Sequence, residues 1–288
     1  MNPSAPHPPP AQAITHYENF PVASWLCPPR LRPAIAAIYW FARTADDLAD
    51  EGDATATERL EDLRHYKNDL LTIARHEAHS GRWPEVFGAL APVLRDFELP
   101  VPLLTQLLDA FEQDVRYTSE GRRYQNDAEL LDYCTRSANP VGRLLLHLYG
   151  VRDEASLAQS DEVCSALQLI NFWQDVKVDA ARGRWYITAQ ALAQFGLIEA
   201  DFLKDSADPN ASQLIAAYAH SARSLMLKGA SLACRIPGRA GWELRLVVQG
   251  GLRILDKIEA MNFETWRVRP KLGVMDFPVM LWRAWRMG

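Results

Sequence analysis

Gln168-Leu-Ile-Asn171-Phe-Trp-Gln-Asp175-Val-Lys-Val-Asp179 is the stretch on which the fold turns. Asn171, Asp175 and Asp179 recur at i, i+4 and i+8, a helical spacing that lays one amide and two carboxylates along a single stripe about 12 Å long. The positions around them are Leu167, Leu169, Ile170, Phe172, Trp173, Val176 and Val178, so the helix is apolar on its other faces too and does not read as a solvated amphipathic element. Carboxylates in such surroundings are costly without a cation or a partner, which marks the stripe as buried and functional.

Outward from this helix the same three-and-four periodicity runs through the chain from Thr15 onward, with no sustained alternation of period two. The chain is therefore expected to be all-α. Pro33 opens a helix whose apolar face is Ala34, Ile35, Ile38, Phe41, Ala42, Ala45 and Leu48 and whose acidic end lies before Gly52. Further helices are predicted over about 55–79, 83–97, 101–117, 127–149, 156–181, 210–234 and 239–262. No repeat or long linker interrupts the chain after residue 14, so one domain is preferred over two. Residues 1–13 contain five prolines and almost no bulky apolar side chains, the composition of a disordered tail. Residues 271–288 combine Phe277, Met280, Leu281, Trp282 and Trp285 with Arg283 and Arg286, which leaves open an interfacial amphipathic helix or one packed on the core.

Composition narrows the function. Lys and Arg total 31 against 36 Asp and Glu, a net charge of −5, which removes the basic footprint of a nucleic-acid binder. The four cysteines are scattered without a CxxC pair, so neither a disulfide framework nor a structural zinc site is indicated. With no secretory leader pattern and no apolar run long enough to span a bilayer, the expected location is cytoplasmic, with peripheral membrane contact left open. There is no GxGxxG, Walker A or GxSxG motif, and His76-Glu-Ala-His79 falls one residue short of the HExxH zinc spacing and reads as an exposed helical turn.

A second acidic group closes the first long helix: Arg43-Thr-Ala-Asp46-Asp47-Leu-Ala-Asp50-Glu51. Asp46 and Asp50 share one helical face, and hard divalent cations such as Mg²⁺ take one or two such carboxylates together with waters and substrate phosphates. The acids sit where the macrodipole disfavours them by several tenths of a kcal/mol, so they are tolerated for a reason other than stability. Alone, the string reads first as a solvated acidic face. Arg43 is placed to orient a carboxylate or to reach a phosphate. The two clusters lie 129 residues apart (175 − 46) and pair as two helices facing each other across one cavity. Trp40, Phe41, Phe111, Tyr117, Leu144, Leu145, Leu146, Phe172 and Trp173 offer lining for it, although plain core packing is the commoner fate of such residues. Arg182, Arg184, Trp185 and Tyr186 follow directly, with cations and a phenol where a diphosphate could be held.

In pattern and order these motifs resemble the trans-isoprenoid squalene/phytoene synthase family over about residues 15–270. The carriers are His16-Tyr-Glu-Asn-Phe20, Tyr39-Trp-Phe-Ala-Arg43-Thr-Ala-Asp46-Asp47-Leu-Ala-Asp50, Tyr133 with Asn139-Pro-Val-Gly142, and Gln168 to Asp179 with Arg184 and Tyr186. The resemblance implies a helical isoprenoid-synthase bundle around a central cavity, with a catalytic domain over 14–270. It implies Mg²⁺ ligands at Asp46, Asp50, Asn171, Asp175 and Asp179; substrate contacts from His16, Arg43, Asp47, Gln168, Arg184 and Tyr186; and catalytic roles for Tyr133 and Tyr39. Departures from the condensing members are Gln174 where Arg is usual, Lys177-Val178-Asp179 closing the second motif, and Glu18-Asn19 near the start. With these, the chain is most similar to the bacterial hydroxysqualene synthases of hopanoid pathways. That likeness implies that presqualene diphosphate is ionised, rearranged and captured by water as hydroxysqualene, without NADPH. The alternatives are a head-to-head condensing synthase acting on farnesyl diphosphate to give presqualene diphosphate, squalene or phytoene, and, from another class, a non-catalytic helical protein that docks on membranes. A very apolar product also makes hand-over to neighbouring squalene-pathway enzymes an expectation.

Overall fold

Helix α1 (Arg32–Asp50) starts at Pro33 and ends in the acidic run, and the computed structural model, which describes residues 27–287, shows how that end is tolerated. Arg59 of α2 (Ala56–Ala74) donates to the carbonyl oxygens of Leu48, Glu51 and Gly52 at 3.2, 2.9 and 2.7 Å. One guanidinium thus satisfies orphan acceptors and supplies the positive charge that the helix terminus calls for. Helix α2 is itself held by a capping box between Thr55 and Glu58. Its end at Ala74 corrects the expected continuation to 79: His76 adopts φ 62°, so the His76–His79 stretch is an exposed loop rather than a helical turn.

Helices α3 (Pro84–Asp96) and α4 (Val101–Glu120) complete the first half, each opened by a proline in its first turn, and α4 closed by Gly121 in the left-handed region. The predicted helix over 127–149 is two, α5 (Asp127–Ser137) and α6 (Asn139–Leu148). Pro140 lacks the N–H that would continue the α5 ladder, so the chain leaves the helix at Ala138 and restarts at Asn139 with the proline in the first turn of α6. The restart turns Asn139 inward, where its amide oxygen accepts from the Ser165 hydroxyl at 2.8 Å.

The decisive stretch also divides. Helix α7 (Glu154–Gln174), capped by Asp153, ends at Asp175, and α8 (Val176–Ala181) follows directly. Helix α9 (Ala189–Phe195) and a 3₁₀ turn over Glu199–Leu203 follow, both unanticipated. Helix α10 (Pro209–Gly229) is separated from α11 (Leu232–Arg235), where one helix to 234 was expected, and α12 (Gly238–Ala260) and α13 (Asp276–Trp285) close the chain. No strand occurs among the described residues.

Helix α7 is the central element, flanked by α6, α10 and α12. A Cβ added at Gly229 would lie 2.5 Å from the Gln159 carbonyl oxygen and 2.7 Å from Val163 Cγ2, which shows how closely α10 is drawn onto α7. One core joins α1, α2, α3 and α4 around Phe41, Tyr66 and Phe87. A second joins α5, α7, α10 and α12 around Trp173, Phe172 and Trp266. Each such side chain, once fully buried, contributes about 1.5–3 kcal/mol of apolar transfer energy. Both cores draw on α4, so the bundle is one domain, and the acidic end of α1 is brought against the turn that follows α8.

Candidate active site

Asp50 is where the two halves meet. Arg182, just after α8, donates to its Oδ2 at 2.9 Å, and Arg184 lies 3.3 Å from the same oxygen. The Asp50 side chain keeps only 11% of its exposure, so the solvated-face reading of the first cluster fails at Asp50, whereas Asp46, Asp47 and Glu51 stay partly exposed. Both arginines are presented by a turn whose backbone N–H groups, Arg182 and Arg184, donate to the Asp179 carbonyl. The facing of the two clusters inferred from sequence is therefore present, and it is bridged by arginine.

Around Arg184 the carboxylates are crowded. Partial burial, and then the charge of Asp50, push Asp46 up to about 6 against the pull of Arg43 and Arg184. Burial, and then Asp175, push Asp179 up to about 7. These shifts are the signature of like charges in a poorly solvated site. Arg43 holds Asp46 at 3.1 Å, Asp47 at 2.6 Å and Glu51 at 2.7 Å, which is the orientation of carboxylates expected of it. Asp47 thus sits on the flank of α1 with Arg43.

Asp114 of α4 was missed by the sequence reading. It is buried, its carboxylate accepts the Tyr133 hydroxyl at 2.7 Å, and burial raises it to about 6 although Arg184 and that hydrogen bond oppose the rise. The signal was available: Asp114 lies seven residues after Leu107 and four after Ala110, on the face that the period of α4 assigns to the core. Tyr133 is buried with it, and burial holds its phenol far above the ordinary range, protonated and donating.

The second cluster is gripped from the C-terminal side. Arg269 forms a two-pronged pair with Asp175, donating from Nε to Oδ1 and from Nη2 to Oδ2, the latter at 3.0 Å. The neighbouring Gln174 is buried and donates to the Pro270 carbonyl at 2.7 Å. Residues 174–175 thus clasp residues 269–270, and the helix breaks at this clasp. Asn171 and Gln168 lie half-buried on α7, and Tyr39 is half-buried on α1, edge-on to Trp40 at 5.3 Å. His16 and the proline-rich tail lie outside the described residues. Asp179 keeps one buried oxygen, Oδ2, with no hydrogen-bond partner. Among the described residues no three acidic, His or Cys side chains converge on a single point; the predicted carboxylate ligands fall into two pairs, Asp46 with Asp50 and Asp175 with Asp179, and Asn171 lies one turn before Asp175.

Beside Arg184 lies a cluster of buried aromatic rings. Tyr186 stacks on Phe172 with ring centres 3.6 Å apart and planes at 9°, and Tyr133 and Tyr124 lie beside them. A polar mouth of ≈ 280 Å³ is lined by Asp50, Arg59, Asp114, Arg182 and Arg184. A narrow slot of ≈ 90 Å³ between α6, α7, α11 and α12 is lined by Gly142, Leu145, Leu146, Leu167, Leu244 and Val247 among others. Of the predicted lining only Leu145 and Leu146 face this slot; Phe41, Leu144 and Trp173 are core, and Trp40 is exposed. Helix α7 links both regions, since Leu167 and Asp175 stand about 12 Å apart along it.

The squalene/phytoene synthase family model matches residues 14–276. The chain belongs to the squalene/phytoene synthase family. It is 32% identical over 254 residues to a hydroxysqualene synthase of Sinorhizobium fredii, covering 88% of this chain and 82% of that one. It is 27% identical to a presqualene diphosphate synthase of Rhodopseudomonas palustris, covering 94% of both. Among solved structures, squalene synthase HpnC from Alicyclobacillus acidocaldarius superposes with a TM-score of 0.77 at 34% identity, over 86% of this chain and 90% of that chain. A dehydrosqualene synthase shares the fold at 21% identity with a TM-score of 0.76. The all-α architecture and the family resemblance inferred from sequence are both shown.

Proposed function

We propose that this family member converts presqualene diphosphate into hydroxysqualene. The observation that carries the reading is the cage around Arg184, in which cations able to grip a diphosphate and carboxylates able to hold Mg²⁺ lie beside the buried rings of Tyr133 and Tyr186. Relatives at 32% identity that bear the name hydroxysqualene synthase support the choice of step.

The donor set fits a hard divalent cation: two carboxylate pairs, an amide, and an orphaned buried oxygen on Asp179. Asp46 and Asp50 on one side, and Asn171, Asp175 and Asp179 on the other, would hold Mg²⁺, which neutralises charge on the leaving diphosphate. Arg43, Arg182, Arg184 and Arg269 bind and orient the diphosphate oxygens. Tyr133 spends its hydroxyl proton on Asp114, so it serves the reaction through its ring, facing developing positive charge together with Phe172 and Tyr186. Presqualene diphosphate and water balance hydroxysqualene, diphosphate and a proton, so no reductant enters. The slot is narrower than long isoprenoid chains require, and binding must part the walls of α6, α7, α11 and α12.

The rival reading, head-to-head condensation of farnesyl diphosphate, is favoured by the presqualene diphosphate synthase relative. Gln174 opposes it: the side chain is committed to Pro270 and adds no cation to the mouth. The test is purified protein with Mg²⁺, given farnesyl diphosphate or presqualene diphosphate separately, with and without NADPH, the lipids read by mass. Hydroxysqualene from presqualene diphosphate alone supports the proposal, and consumption of farnesyl diphosphate overturns it. Loss of turnover in Asp46→Ala and Asp175→Ala excludes the non-catalytic alternative.

A further inference from the structure

Helix α13 is apolar on both sides. Its inner face, Asp276, Met280 and Ala284 at a four-residue spacing, packs on α12, where Met280 meets Gly250. Asp276 fastens that face: it accepts from Arg253 and from the Gly273 N–H at 2.7 Å each and pairs with Lys257 at 2.7 Å. The outer face repeats the spacing with Phe277, Leu281 and Trp285, flanked by Trp282 and, just before the helix, Val274 and Met275. All six are exposed, Trp285 to 66% and Met275 to 84%. A helix so firmly docked has no conformational reason to present this row to water, and contiguous apolar patches of such size on soluble chains mark contact sites.

Charge identifies the partner. From Thr265 to the end the chain carries five cations against one carboxylate, the buried and fully paired Asp276; Arg267, Arg269 and Arg283 are paired with Glu264, Asp175 and Asp256, and Lys271 and Arg286 are the exposed remainder. This stretch is net positive in a chain of net charge −5. Arg286 lies over the Trp282 ring at 4.8 Å and makes no ion pair among the described residues. Beside it an open groove of ≈ 420 Å³ is lined by Leu227, Trp282 and Arg286 and by Arg223 and Arg283, both of which donate to Asp256 in the same lining, with Leu227 also exposed. Tryptophan and arginine interleaved at the edge of an apolar row match the boundary between acyl chains and anionic headgroups. No described helix is long and apolar enough to cross a membrane, so the element would lie in the plane of the surface.

We propose that the outer face of α13, with Val274, Met275 and the Arg286 groove, is a docking surface for an anionic lipid bilayer. The test is flotation of the full-length protein with vesicles of phosphatidylcholine alone or with about 30 mol% phosphatidylglycerol. The wild type is expected to float with the anionic vesicles and to be released by about 0.5 M salt. Leu281→Glu with Trp285→Glu, both at exposed positions, should lower partitioning ~10-fold or more at unchanged Tm, and Arg286→Glu should lower it without touching the apolar row. The proposal is overturned if the wild type floats with neither vesicle, or if the double substitution leaves flotation intact. It is equally overturned if sedimentation shows the face buried in a dimer of this chain that the double substitution dissociates.

Discussion

Replacing Arg184 with Met should expose how the acidic mouth is held together. Arg184 is 15% exposed, lies 3.3 Å from Asp50, and lowers the proton affinity of Asp46, Asp114 and Asp179 at once. Removing one partner from a buried charge network costs about 3–5 kcal/mol, because the remaining charges stay buried without compensation. For Arg184→Met at pH 8 about 3 kcal/mol is expected, a fall in Tm of roughly 6 °C for a chain of this size. The cost must shrink in acid. Asp46 and Asp114 titrate at about 6 and Asp179 at about 7, all above the ordinary 3.8, so between roughly pH 4 and 7 the folded state binds more protons than the unfolded one. At pH 5 those carboxylates are largely neutral and need little from Arg184, leaving chiefly Asp50 and a cost of about 1 kcal/mol. Thermal unfolding followed by circular dichroism in chelator, wild type against variant at pH 5 and pH 8, measures both. An equal loss at the two pH values, or a larger one at pH 5, would refute the cage.

The same linkage makes Asp179→Asn stabilising in the metal-free protein at pH 8, where it removes a buried negative charge, and close to neutral at pH 5. A lower Tm than wild type at pH 8 would show that the Asp179 carboxylate is well compensated after all. Gly229→Ala should destabilise by about 2 kcal/mol or more, because the new methyl meets the Gln159 carbonyl at 2.5 Å and must push α10 off α7. Urea unfolding checks it, and a neutral result would mean that the two helices are not locked at this crossing.

Much of the architecture could be read because helical periodicity is local. Pro33, Pro84 and Pro209 mark true helix starts, and the Asp46/Asp50 and Asp175/Asp179 spacings carried the pairing across 129 residues. The breaks at Ala138 and Asp175 were hidden because apolar periodicity continues across them; Pro140 was a visible warning at the first, whereas the second coincides with contacts 94 and 96 residues away. Arg59 and Arg269 carry no periodic signal, and their roles exist only once α2 meets α1 and the C-terminal segment returns to α7. Of the two readings left open for the C-terminal tail, packing on the core is what the inner face of α13 shows, and the interfacial one is carried by its exposed outer face as a proposal.

The resting mouth is neutralised from within, and this constrains the order in which ligands arrive. Asp46 is held by Arg43, Asp50 by Arg182 and Arg184, and Asp175 by Arg269, while Asp179 keeps an oxygen without a hydrogen-bond partner. An incoming diphosphate competes for those same arginines and would leave carboxylates buried without compensation. A divalent cation alone faces the opposite obstacle, since arginines already occupy its ligands. Each ligand removes what blocks the other, so binding should be strongly coupled. Inorganic diphosphate alone and Mg²⁺ alone should each move Tm little, and the two together should raise it by more than the sum of the separate shifts. Additive shifts would show that arginine–carboxylate exchange is not how this site opens.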